Sequence, residues 1–113
     1  MRTAKQALDA LPDSIRVGNL DVSIEVAPFV INGDTVCLGT YGRDAARIEL
    51  WDRMSSSQVV VETFVHEVLH AIWDCAKIED GDNEERTVSV LAKQLVALQR
   101  ENPWLTKWID RYS

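Results

Sequence analysis

Gln58-Val-Val-Val-Glu-Thr-Phe-Val-His66-Glu67-Val-Leu-His70-Ala-Ile-Trp-Asp-Cys-Ala76 is the stretch on which the reading of this chain turns. It is apolar nearly all round and too long for a strand, which predicts a buried helix ending near Ala76, with Ser55-Ser56-Ser57 as N-cap candidates. The chain has only two histidines, and both fall here, four residues apart. A helix carries such a pair on one face, one turn apart, where two imidazoles can converge on a single ion. Zinc takes neutral imidazole readily and keeps a position for water when the protein supplies three ligands. Glu67 projects about 100° round the helix from His66, so it can act as general base on a zinc-bound water without being a ligand itself. The plain alternative is a pair of core histidines satisfied by hydrogen bonds. Two histidines and a glutamate inside an apolar helix need partners, because unpaired buried polar groups are costly, and a metal supplies one.

A third protein ligand has to be a carboxylate, since no third histidine exists. The candidates are Asp74, Glu79, Asp80, Asp82, Glu84 and Glu85. Asp74 shares the face of His70 but lies too far along the same helix from His66 to close a tetrahedron. A second long helix is predicted from about Asn83 to Arg100, with Val88, Leu91, Ala92, Leu95, Val96 and Leu98 as its apolar stripe. Extending that stripe back by one turn reaches Glu85 or Glu84, and Glu85 is the preferred ligand. With Asp82 as N-cap, Glu85 would instead be the glutamate of a capping box. Asn102-Pro103 ends the helix and opens a short terminal one, Asn102 capping and Pro103 in the first turn.

Upstream of the histidines the pattern is that of strands. Ile15-Arg-Val17 and Leu20-Asp-Val22-Ser-Ile24-Glu-Val26 alternate around a Gly18-Asn19 turn. Asn32-Gly33-Asp34 signals a hairpin, Thr35–Tyr41 reads as the next strand, and Ala46–Trp51 as the last. Residues 3–10 suit a short helix closed by Pro12. The expected architecture is α+β: a small antiparallel sheet of three or four strands, then the buried HExxH helix and a second long packing helix.

The chain has 113 residues, 46% of them hydrophobic, enough for one core, so residues 1–113 are expected to form a single domain. A net charge of −6 without any run of Lys or Arg argues against nucleic acid or an anionic membrane as partner. The N-terminus lacks a signal-peptide core and no run approaches the ~18 apolar residues of a membrane span, which points to a cytoplasmic protein. Cys37 and Cys75 form no CxxC and read as small packing residues, Cys75 on a different helical face from the histidines.

Several stretches together carry a family resemblance. They are His66–His70 with Ala71-Ile72-Trp73, then Glu84-Glu85-Arg-Thr-Val-Ser-Val-Leu91-Ala92, then Leu98-Gln-Arg-Glu-Asn102-Pro103 and Trp108, with Ile15-Arg-Val-Gly18 and Tyr41-Gly42…Ile48 upstream. In these the chain resembles the small HExxH proteins of tailed phages and prophages, minimal gluzincins broadly similar to SprT-like and ImmA/IrrE-like metallopeptidases. The resemblance implies a minimal zincin-like domain and a zinc metallopeptidase, with the acidic ligand of the second helix at Glu85, and the host cytoplasm as its location if phage-encoded.

The expected function is therefore a zinc-dependent hydrolase, most simply a peptidase acting on a peptide or protein substrate, with His66, His70 and Glu85 holding Zn2+ and Glu67 as general base. Ala46–Trp51 could hold an extended peptide by edge pairing, and Tyr41 or Tyr112 could stabilise an oxyanion. Two rivals stand beside it: a zinc-containing, non-catalytic binding or phage accessory protein, and a non-peptidase amidase. Intact Glu67 counts against a purely structural metal.

Overall fold

A computed structural model of the chain describes residues 2–79, 81 and 83–113. Helix α1 (Ala4–Asp9) is closed by a capping box, in which the Thr3 side chain accepts from the Gln6 backbone and Gln6 reaches back to the Thr3 backbone. Strands β1 (Ser14–Val17) and β2 (Leu20–Ala27) form a hairpin over Gly18, whose φ of +57° is one that glycine adopts without cost. The chain then leaves the sheet for a small hairpin of its own, β3 (Ile31–Asn32) and β4 (Thr35–Val36), turning at Gly33 (φ +64°). It returns as β5 (Gly39–Gly42) and β6 (Arg47–Trp51). Helices α2 (Ser57–Cys75), α3 (Glu84–Glu101) and α4 (Trp104–Tyr112) follow.

The main sheet runs β1-β2-β6-β5 and is mixed. The expected antiparallel order fails at one pair: β2 and β6 run parallel, from Ser23 beside Arg47 to Ala27 beside Trp51. The reason is topological, because β6 inserts between β2 and β5 after the chain has crossed to the far side of its position. The expected strand over 35–41 likewise splits at Cys37-Leu38, its two halves serving different sheets.

Alternating side chains Ile15, Val17, Val22, Ile24, Ile48 and Leu50 bury one sheet face against α2. From α2, Val60, Phe64, Val68, Ala71 and Ile72 enter the same core. Phe64 stands 5.2 Å from Trp108 in an edge-on contact and 6.3 Å from Trp104, so α4 packs across the middle of α2. The Trp108 indole donates to the Ala7 carbonyl and ties α4 to α1.

α3 is the element that differs most from expectation. Among its described residues only Leu98 is buried, while Val88, Leu95 and Val96 are exposed. Its stripe is real in sequence, but α3 packs mainly through its C-terminal half, where Gln94 lies beside Gly18 and Leu98 meets α4 and α2. Asn102 does not cap α4, whose N-cap is Pro103. It is buried at the end of α3, accepting from the Arg16 N–H and donating to the Arg16 and Leu98 carbonyls. No helix among the described residues is long and apolar enough to cross a membrane.

Candidate metal centre

The Ser56 hydroxyl caps α2 by accepting the Val59 N–H, and from there the helix continues unbroken through the HExxH segment. It is not buried all round: His66, Leu69, His70 and Trp73 form an exposed face, while Glu67 turns inward and is 6% exposed. The histidines thus lie at the surface rather than in the core.

Their Nε2 atoms lie 3.2 Å apart, with the ring planes inclined at 70°. Given zinc–nitrogen bonds of about 2.05 Å, that separation subtends about 100° at a shared ion, near the tetrahedral ~109°. The same spacing also suits one ring donating its N–H to the other. As a donor set, two imidazoles converging through Nε2 from a rigid helix fit zinc.

Glu67 turns toward the facing strand, where the Tyr41 backbone N–H on β5 favours its ionised form. Close approach of β5 to α2 makes this contact possible, and Gly39 permits the approach: a Cβ there would sit 2.8 Å from Thr63 Cγ2. Burial raises the Glu67 carboxyl above its ordinary value, with the two imidazoles and the Tyr41 N–H pulling the other way.

Around these groups lies a cleft of about 380 Å3. Its wall opposite α2 comes from Tyr41 on β5 and Arg43 just after it, and from Asn32 and Cys37 on the β3–β4 hairpin. The Tyr41 hydroxyl donates to Asp74 at 2.7 Å, and Arg43 Nε pairs with Asp74 at 2.9 Å. Burial first, then that hydrogen bond, pushes the Tyr41 phenol above its ordinary value, so it stays protonated and donating. Tyr112, the other tyrosine considered, is buried beside Trp108 and takes no part in the cleft.

The third ligand is not assembled. Among the described residues no group of three His, Cys, Asp or Glu side chains is placed to hold a metal. Glu84 and Glu85 are exposed in the first turn of α3, Glu85 about 13 Å of helix ahead of Gln94. Glu85 is not a capping-box residue either, because Asn83 is the N-cap and accepts the Arg86 N–H. Asp80 and Asp82 lie outside the described residues. Asp74 lines the cleft, but its carboxylate is occupied by Tyr41 and Arg43.

Edge pairing by Ala46–Trp51 is overturned, since β6 has β2 on one side and β5 on the other; the strand edge at the cleft is β5. Cys75 lies away from the histidines, with Sγ donating to Asn19 Oδ1. Cys37 and Asn32 were legible only as packing and turn residues, and nothing in their local pattern announces the cleft. For Asp74 and Tyr41 a signal did exist: Asp74 is four residues after His70, and Tyr41 stands in the strand register that faces α2.

Neither a family model, nor a curated protein, nor a solved structure matches this chain.

Proposed function

We propose that the chain is a zinc-dependent hydrolase of zincin-like build, most simply a peptidase. One observation carries the reading: two Nε2 atoms 3.2 Å apart, with the buried Glu67 carboxylate beside them in a cleft bounded by a strand edge. His66 and His70 would hold the ion, with Glu85 the sequence's choice for a third ligand and Glu84 its alternate. Bound zinc supplies Lewis-acid polarisation and an acidified water. Glu67 would take a proton from that water and return it to the leaving amine. The outer edge of β5 aligns an extended chain across the cleft, and Tyr41 and Arg43 hold Asp74 as part of the wall. The substrate is a peptide or protein amide, and the host cytoplasm is the compartment in the phage reading.

That the third ligand is unassembled favours a second reading, a zinc-containing binding or phage accessory protein without turnover. Glu67→Gln separates the two. Zinc binding by calorimetry should be nearly unchanged in Glu67→Gln and lost in His66→Ala/His70→Ala. Hydrolysis of a peptide library should fall about 10²–10⁴-fold in Glu67→Gln, the usual contribution of a general base. Equal turnover by wild type and Glu67→Gln would end the hydrolase reading even with zinc bound. Glu85→Gln and Glu84→Gln, assayed for zinc occupancy alongside, show which carboxylate completes the site.

A further inference from the structure

The β3–β4 hairpin has two unlike faces. Cross-strand partners are Ile31 with Val36 and Asn32 with Thr35, and the ladder extends to Val30 and Cys37, where the Cys37 N–H donates to the Val30 carbonyl at 2.9 Å. The two-residue period therefore places Val30, Asn32, Thr35 and Cys37 on one face and Phe29, Ile31, Val36 and Leu38 on the other. The first face turns to the cleft: Val30 is buried, Asn32 and Cys37 line the cleft, and the polar Thr35 is exposed. On the second, Phe29 is 73% exposed, Ile31 60%, Val36 65% and Leu38 43%. The hairpin is fixed at its base, where the Trp51 indole donates to the Pro28 carbonyl and the Trp51 N–H to the Leu38 carbonyl.

We propose that this outer hairpin face seats the same face of a second copy of the chain. Its exposed apolar surface is on the order of 500 Å2, above the scatter of single exposed residues. A standard interface takes about 800 Å2 from each partner, and when the partners are identical about 65% of that is apolar, so the patch has the size of one such apolar core. Charge points the same way. The chain carries 18 acidic and 12 basic residues, so two copies repel except where they meet through a neutral surface. Pro28–Leu38 holds a single charged residue, Asp34, at the turn. The exposed side chains of α3 lack this quality, because Lys93 and Arg100 lie around Val96. A face made of cross-strand apolar pairs is self-complementary under a two-fold axis, as an isologous contact requires. Since the opposite face carries Asn32 and Cys37, pairing of copies also clamps this wall of the cleft.

Dimer formation needs no metal, so metal-free protein is the sample. Sedimentation equilibrium between 1 and 100 μM, a span chosen on the order of typical weak-dimer Kd values, should give twice the 12.8 kDa chain mass at the upper end. Ile31→Lys/Val36→Lys should be monomeric throughout, at least tenfold weaker in association. Val96→Lys, a control on α3 at matching exposure, should associate as wild type does. Circular dichroism of each variant reports its fold. Amide exchange of wild type, which needs no variant, should show residues 29–38 slowing as concentration rises. A monomer at 100 μM without concentration-dependent protection overturns the proposal and leaves the face to a different partner. So does a dimer that survives the double substitution, or one that Val96→Lys disrupts equally.

Discussion

Glycine at position 39 decides how near the sheet comes to the candidate metal centre. A methyl group there meets Thr63 Cγ2 at 2.8 Å, and behind it the Glu49 carbonyl and Leu50 Cδ2 at 3.2 Å. Thr63 is β-branched and stiff on its helix, so the strand has to move. We expect Gly39→Ala to cost about 1–3 kcal/mol in denaturant unfolding, as overpacking does. Zinc binding should change little, because both histidines belong to α2. Gly42→Ala is the control, since its Cβ would meet nothing nearer than 3.9 Å, and it should be close to neutral. Equal losses in the two variants would show that β5 does not rest on α2 as described.

At the level of elements, α3 depends on a few contacts at one end. The Asn102 side chain makes three hydrogen bonds there, two of them to the backbone of Arg16 on β1, the opposite edge of the sheet from β5. An edge strand lacks a neighbour on one side, and the carboxamide stands in for one. Asn102→Ala leaves buried backbone groups unpaired and should destabilise by about 2–3 kcal/mol. For a chain of this length that is a fall in Tm of roughly 10 °C. Asn102→Asp should recover little, because it keeps the acceptor for the Arg16 N–H and loses both donated bonds. A Tm within a degree or two of wild type for Asn102→Ala would mean that α3 is held by its apolar contacts, Leu98 and Leu91 among them, without the carboxamide.

For the molecule as a whole, the core and the histidine pair are separable. Core side chains from α1, the sheet, α2 and α4 pack without help from His66 or His70, which are exposed. A zinc ion at about 100 times its Kd would add about 2.7 kcal/mol, so saturating zinc should raise the Tm by several degrees, and chelator should reverse this without loss of helical signal. Loss of the far-ultraviolet helical spectrum on chelation would instead make the site structural, as in a zinc finger.

What the sequence by itself determined is local. The i, i+4 histidines, the Ser55–Ser57 cap region, the Gly18 turn and the Asn32-Gly33 hairpin each rest on contacts within a few residues, and helix and strand periods make those visible in one dimension. The tertiary structure alone decided the parallel pairing of β6 with β2, which puts β5 and not β6 at the cleft edge. Likewise it decided that the stripe of α3 is mostly exposed, that Asn102 turns to Arg16 across 86 residues, and that Cys37 and Asn32 face the histidines. Apolar periodicity says that a face can be buried, but burial needs a partner surface, and that partner is chosen by the order in which strands insert and helices cross.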